Sequence, residues 1–474
     1  MNNSSFSKSV AWYGIGNFFI RALSILLLPL YSNLLSIEEF GNFALLMSIY
    51  SIGVVIYQFG MQSALNKFFI EEKSEEKKKL IFSSIFNSII LIGILCTSVL
   101  WFTAPQISLL IFDSLNQSEI IKLIIVVIFL ETFTFFILYL LKTKGLAKKS
   151  VFFTILGGII NLLLNIILVY QYRLGVMGIV LAQLITAVVL LIFSIKVIRE
   201  DYELKIDKEI FKVVLKFSFP LLLANLLTVG VNVADRFILN TLIGRDEVGI
   251  YSFSYRIAIV MNVFVVSFSN AWHPHSLNLF YSNEYRETFG KTLTKLIALS
   301  CVLLLVVSLF SQYLFELNVF NINIFNSAYK GGVIVIPLVM IGYLFNGLSM
   351  FFTVYPSVSN KTFHFLISDI IAFGSNLILN FFLIPRIGIM GAAYATAIGF
   401  LLGAAYLFII SRKEIKIDYQ KKELLIIVFV ALGALFVGLK LMNIYLSISL
   451  ILIYIFILQR FVKIKFNQIF KISY

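Results

Sequence analysis

Cysteine is nearly absent from this 474-residue chain, which has only Cys96 and Cys301, both inside apolar segments. Two such residues build neither a disulfide framework nor a clustered thiolate metal site, and small buried core residues is their reading. Histidine is almost as scarce, at three. His273 and His275 in "NAWHPHSLN" have no third His or Cys nearby, so the pair is expected in a helix-end loop and not on a metal. Charged residues make up only 13%, too few for the surface of two or three soluble domains. The signatures G-x-x-x-x-G-K-[ST], H-E-x-x-H and G-x-S-x-G are all missing, so no nucleotide, zinc-protease or serine-hydrolase chemistry is indicated. The longest external loops, expected around 105–119 and 316–330, hold about fifteen residues each. A membrane-bound glycan polymerase or ligase would need a larger one for its acidic or basic catalytic residues.

What fills the chain is apolar: 60% of residues are hydrophobic, against roughly 45–50% in soluble domains. A helix needs about twenty apolar residues to cross a hydrocarbon core of about 30 Å. Fourteen segments qualify, over 10–35, 41–65, 80–104, 120–141, 151–170, 175–198, 213–243, 248–272, 292–315, 331–355, 363–384, 388–411, 422–440 and 443–461. Without water to satisfy the backbone these must be helices, and they are too long for barrel strands. The first exceeds a signal-peptide core, contains Arg21 and is followed by no A-x-A site, so it reads as a retained helix. The expected fold is therefore an all-α integral membrane protein of about 14 transmembrane helices.

The +14 net charge follows from topology. Most of the 38 Lys and Arg lie in stretches such as "NKFFIEEKSEEKKKL", "KTKGLAKKS", "KVIREDYELKIDKEIFK" and "SRKEIKIDYQKKE". These alternate with short loops such as "SIEEFG", "GRDEVG" and "PRIG". The positive-inside rule then puts both termini and the basic loops in the cytoplasm, with no nucleic-acid partner implied. A basic inner face also suits anionic membrane lipids.

The chain is internally duplicated. "NLLLNIILVYQYRLGVMGIVLAQLITA" (Asn161–Ala187) aligns with "NLILNFFLIPRIGIMGAAYATAIGF" (Asn376–Phe400) after a two-residue deletion, pairing Asn161 and Asn165 with Asn376 and Asn380. A weaker match at offset 208 sets Asn17 on Asn225 and "LLSIEEFGNF" on "LIGRDEVGIY". The partners lie an even number of segments apart, which makes this a parallel repeat of the kind found in transporters. The expected division is an N-terminal lobe (1–200, six helices), a C-terminal lobe (201–418, six helices) and two added helices (419–474), with the lobes around a central cavity.

Polar side chains recur on single faces: Asn17, Arg21 and Ser24; Asn225, Thr228, Asn232 and Asp235; Thr154, Gly158, Asn161 and Asn165; Asp369, Asn376 and Asn380. Six charged residues lie deep within the spans, away from their ends: Arg21, Glu131, Asp235, Arg236, Arg256 and Asp369. At 1.5 Å per residue, Arg256 lies about 12 Å and Asp235 with Arg236 about 10–12 Å from the outer helix ends. Such groups cost roughly 2.5–3.5 kcal/mol each on insertion scales and must face protein or water. Three cations and three anions fit pairing across helices as well as they fit a substrate or coupling route. Gly391, Ala395, Gly399 and Gly403, like Gly178, Ala182 and Thr186, repeat every four residues, as close helix packing requires.

"ADRFILNTLIGRDEVGIYSFSYRIA" (Ala234–Ala258), the opening "YGIGNFFIRALSILLLPLYSNLLSIEEFGNFALL" and the paired "N-L-x-L-N…G-[VI]-M-G" segments resemble the polysaccharide-biosynthesis flippases. These are the Wzx-type O-antigen translocases of the multidrug/oligosaccharidyl-lipid/polysaccharide exporter superfamily, and the likeness spans essentially the whole chain. It implies a transporter and not an enzyme, one that carries an undecaprenyl-diphosphate-linked oligosaccharide from the cytoplasmic to the periplasmic leaflet of the bacterial inner membrane by alternating access. It further implies that Arg21, Arg236 and Arg256 receive the diphosphate, and that Asp235, Glu131 and Asp369 are candidates for proton or sodium coupling. Asn17, Asn225, Asn161 and Asn376 become candidates for sugar contact or helix packing. No cofactor is implied; proton, sodium or membrane potential would drive the step, with polymerase and chain-length proteins of the glycan pathway as candidate partners. A lipid II flippase and a cation-coupled drug exporter of the same superfamily are the alternatives, and a membrane polymerase or ligase is disfavoured by the short external loops.

Overall fold

The computed structural model describes residues 12, 16, 19, 23–280, 282, 285–319, 322–359, 361 and 363–462. The first long helix described, α1, is Leu23–Leu34. It is followed by α2 (Ile37–Gln58), α3 (Met61–Glu71), α4 (Glu75–Phe112), α5 (Ser118–Thr143), α6 (Ala147–Asn165) and α7 (Gly175–Ile195). Then come α8 (Lys208–Ile243), α9 (Arg245–Phe280), α10 (Tyr285–Phe310), α11 (Ile336–Phe352), α12 (Val354–Val358), α13 (Phe363–Ile387), α14 (Ile389–Glu414), α15 (Lys421–Leu441) and α16 (Ile444–Phe461). Each of the fourteen expected segments contains helix among the described residues. Among those residues twelve spans are long and apolar enough to cross a bilayer, and Leu23–Leu34 and Ile444–Arg460 are shorter apolar helices.

Several helices outrun their apolar cores. α4 passes through Pro105 to Phe112, so the expected loop at 105–119 shrinks to a turn and the short 3-10 segment Leu115–Gln117. The run "ISLLIF" stays apolar past the proline, and a helix is the only way to satisfy its backbone. α9 likewise passes through Pro274 to Phe280, which places His273 and His275 on a helix and not in the loop expected of them. The other long loop contains an antiparallel pair, β1 (Asn318–Val319) and β2 (Ile322–Asn323).

The chain forms two compact units, Met1–Thr241 and Leu242–Tyr474. In the first, Leu65, Phe82, Ile85, Phe136 and Leu140 pack together where α3, α4 and α5 meet. The basic connection after α7 is held against the start of α4. Asn87 donates to the carbonyls of Glu203 (3.1 Å) and Lys205 (3.0 Å) and accepts from the Tyr202 hydroxyl (2.7 Å), while Ser83 and Ser84 accept from the backbone of Glu203 and Asp207. In the second unit the core gathers Trp272, Phe289, Leu293, Phe351 and Leu407.

The duplication has a geometric basis. Gly175 and Gly388, aligned in the two halves, turn the chain with φ of +54° and +58°, a region that L-side chains avoid. Three residues on, Gly178 and Gly391 close the helix hairpins against equivalent leucines: a methyl group there would sit 3.1 Å from the Leu168 carbonyl oxygen and 2.5 Å from the Leu383 carbonyl carbon. The first half, longer by two residues, ends this helix in a π-helical turn, Ile166–Gln171, before the chain reaches Gly175. The opening sequence "SIEE" is a capping box: Ser36 Oγ accepts from Glu39 N (3.1 Å) and Glu39 Oε2 from Ser36 N (2.8 Å). Its partner in the repeat starts α9 with Asp246 and Glu247, anions that suit a helix N-terminus.

A prediction follows from the glycine pair. Gly391→Ala is expected to destabilise by about 1–3 kcal/mol, the usual cost of overpacking, and Gly178→Ala by clearly less. The thermal midpoints of the two variants in detergent check the order.

Candidate functional site

The polar residues of α8 fold back on their own helix. Thr228 donates to the Ala224 carbonyl (3.1 Å) and Asn232 to that of Thr228 (2.8 Å). The Arg236 guanidinium donates to the Asn232 carbonyl and lies 3.6 Å from Asp235 Oδ1. Asp235 is fully buried while the Arg236 side chain keeps 12% of its surface exposed, and the same carboxylate oxygen accepts from the Arg236 backbone N–H (2.8 Å). Adjacent residues point to different sides of a helix, so only the length and curl of the arginine bring the two charges together. The result is a locally compensated pair whose cation retains an accessible edge.

Glu131 of α5 is met by the Tyr50 hydroxyl of α2, which donates to Oε2. A carboxyl in an apolar bundle needs such a donor, because an unpartnered one costs several kcal/mol. Arg256 and Asp369 are half-buried on α9 and α13, and Asn225 on α8. Asn17 and Arg21 lie outside the described residues.

The asparagine stripes form matched joints. In the first half the Asn165 amide donates to Asn161 Oδ1 (3.1 Å) and to its carbonyl (2.8 Å), and accepts from the Tyr31 hydroxyl of α1 (2.8 Å). In the second, Asn380 donates to Asn376 Oδ1 (3.0 Å), and Asn376 to the Thr396 hydroxyl of α14 (3.2 Å). Asn165, Asn376 and Asn380 are fully buried, whereas Asn161 is only half-buried. Their geometry is that of helix joints, with Asn161 the member that keeps an exposed edge. Thr154, lower on the Asn161 stripe, borders a 160 Å³ cavity with Ser150 and Lys142. The Gly391, Gly399 and Gly403 stripe packs against α13: methyl groups on Gly399 and Gly403 would sit 2.8 and 3.1 Å from the carbonyls of Ala372 and Ser368.

Sequence reasoning missed the partners. Tyr50, Tyr31, Thr396 and the bonded hydroxyls of Tyr255 and Tyr343 (2.9 Å) carry the interhelical bonds. A polar atom within an apolar span is itself a signal, since it must find a partner there, but which partner depends on packing. Among the described residues no group of three or more His, Cys, Asp or Glu could hold a metal ion.

Comparison with solved structures shows the fold, which is shared with a lipid II flippase and with multidrug transporters. The chain is similar to "Lipid II flippase MurJ, inward closed conformation", with TM-score 0.74, 20% identity and coverage of 95% of this chain and 99% of the other. It is also similar to an inward-facing multidrug resistance MATE family transporter, with TM-score 0.70, 15% identity and coverage of 83% and 94%. The chain belongs to the polysaccharide biosynthesis protein family, whose profile matches residues 30–319. A Shigella flexneri relative named "Putative O-antigen transporter" is 22% identical over 239 residues, 49% of this chain and 54% of the relative. The chain thus spans about half the length of the curated relative it matches.

Proposed function

We propose that this chain flips an undecaprenyl-diphosphate-linked oligosaccharide, an O-antigen or similar surface-glycan repeat unit, from the cytoplasmic to the periplasmic leaflet by alternating access of its two lobes. Family membership carries the reading, and the O-antigen relative and the lipid II flippase fold support it. Both termini lie in the cytoplasm of a bacterial inner membrane on this reading, because the basic loops favour that side. The exposed edge of Arg236, with Arg21 and Arg256, offers the diphosphate planar guanidinium forks. Glu131, held by Tyr50, takes the coupling proton or sodium ion, with Asp235 and Asp369 as further candidates. Asn161 and Asn225, both half-buried, are the candidates for sugar contact together with Asn17, and Asn376 chiefly joins helices. The glycan polymerase and chain-length proteins are the partners downstream.

Deletion of the gene is expected to remove long-chain surface glycan, and Arg236→Ala and Arg21→Ala are expected to restore it poorly. Unchanged glycan in the deletion strain refutes the proposal, and full rescue by both variants takes the arginines out of substrate handling. The likeness to the lipid II flippase favours one second reading, lipid II itself. That reading predicts loss of viability on deletion, where ours predicts viable cells lacking surface glycan.

A further inference from the structure

A cavity of about 970 Å³ lies within the second unit, and Arg236, Arg256, Asp235, Glu131 and Asp369 are not among its lining residues. Its walls are apolar: Ile297 of α10, Leu348 of α11, Leu401 and Phe408 of α14, and Leu424 of α15. Arg412 at the end of α14, Lys416 and Asp418 of the α14–α15 connection and Lys421 at the start of α15 also line it, three cations with a single acid. That connection is seated on α10. The Asp418 N–H donates to the Arg286 carbonyl (3.3 Å), and Gly290 admits the Asp418 carbonyl so closely that a methyl group would lie 2.0 Å from it. The cleft is therefore built by backbone packing and not by a chance gap between side chains.

Two observations indicate what it holds. None of the three rim cations is in an ion pair with a described residue. The Tyr419 hydroxyl, on the cavity wall, is buried without a hydrogen-bond partner among the described residues, which is costly for a donor unless a ligand or water meets it. Burial pushes the Tyr419 phenol up, and the nearby Arg412 charge pulls against it. A volume of this order suits one acyl chain with its glycerol-phosphate, being at the upper end of the roughly 300–1,000 Å³ of ordinary ligand pockets. The rim belongs to "SRKEIKIDYQKKE", one of the basic stretches that the charge pattern assigns to the cytoplasm, where anionic lipids meet juxtamembrane cations.

We propose that this cleft is a site for one anionic phospholipid of the inner leaflet, its phosphate against Arg412, Lys416 and Lys421 and the Tyr419 hydroxyl, and an acyl chain along Ile297, Leu348 and Leu401. The site is separate from the residues assigned to the flipped substrate, so its failure leaves the proposed function untouched.

Native mass spectrometry of the full-length protein in neutral detergent, titrated with phosphatidylglycerol or phosphatidylcholine, tests this. Wild type is expected to retain one phosphatidylglycerol in preference to phosphatidylcholine. R412Q/K416Q/K421Q should weaken retention about tenfold to hundredfold, as loss of three near-surface cations implies. The charge-matched control K413Q/K422Q/K440Q should leave it unchanged, and Ala405→Trp should block it by filling the cleft while keeping every charge. Should Ala405→Trp fail to fold, the charge variants still decide the matter. Equal losses in both triple variants would reduce the effect to diffuse electrostatics and overturn the proposal. So would displacement of the lipid by inorganic phosphate, which would make this a free-anion site, or by undecaprenyl diphosphate, which would assign the cleft to the substrate.

Discussion

Asp235→Ala is expected to destabilise the protein by about 3–5 kcal/mol, the range for removing one member of a buried ion pair. The carboxylate is fully buried, receives the Arg236 backbone N–H at 2.8 Å and faces the guanidinium at 3.6 Å. Its loss removes a counter-charge from a guanidinium whose side chain is only 12% exposed. Asp235→Asn, which keeps an oxygen for the backbone N–H, should cost less. Replacing both residues with leucine should restore much of the stability, since a hydrophobic pair of similar volume is often neutral or better, yet abolish surface-glycan rescue. Thermal unfolding in detergent, set beside glycan display, separates the two roles. A double-leucine variant that still transports would make the pair purely structural.

Glu131→Gln is expected to leave the fold nearly intact and to strip transport of its dependence on the driving ion. The amide oxygen can still accept from Tyr50, so the cost should stay near the 0.5–1.5 kcal/mol of an ordinary hydrogen bond. An amide carries no titratable proton and binds sodium weakly. In proteoliposomes, wild-type flipping of a lipid-linked oligosaccharide should respond to an imposed proton or sodium gradient, whereas the variant should give the same slow rate with and without it. Tyr50→Phe provides the contrast: it leaves the carboxyl titratable but without its donor, and should cost about 1–3 kcal/mol of stability while the gradient response persists. A Glu131→Gln protein that still follows the gradient would move coupling to Asp369 or Asp235.

Much of the architecture was legible because a bilayer imposes few options. Twenty apolar residues with no water to satisfy the backbone must be a helix, and each of the fourteen expected segments contains helix among the described residues. The duplication was legible in the aligned pairs Asn161/Asn376 and Gly178/Gly391, whose spacing reflects a hairpin that only glycine lets close. Helix ends were less so. The segments drawn from apolar content stop at residues 104 and 272, but the hydrogen-bonded ladder continues through Pro105 and Pro274, carrying α4 to Phe112 and α9 to Phe280.

The sequence by itself thus determined the all-helical membrane class, the repeated segments, the identity of the charged residues within the spans and the family to which they point. Each of these depends on composition and on separations of a few residues, the range over which a helix fixes geometry. Tertiary structure alone decided the distant partners: that Asn165 meets Tyr31, that Glu131 meets Tyr50 from 81 residues away, and that the α14–α15 connection seats on α10 beside a cleft lined by basic residues. Contacts between distant segments depend on how side chains of particular volume fill the space between helices, and no periodicity along one chain encodes that.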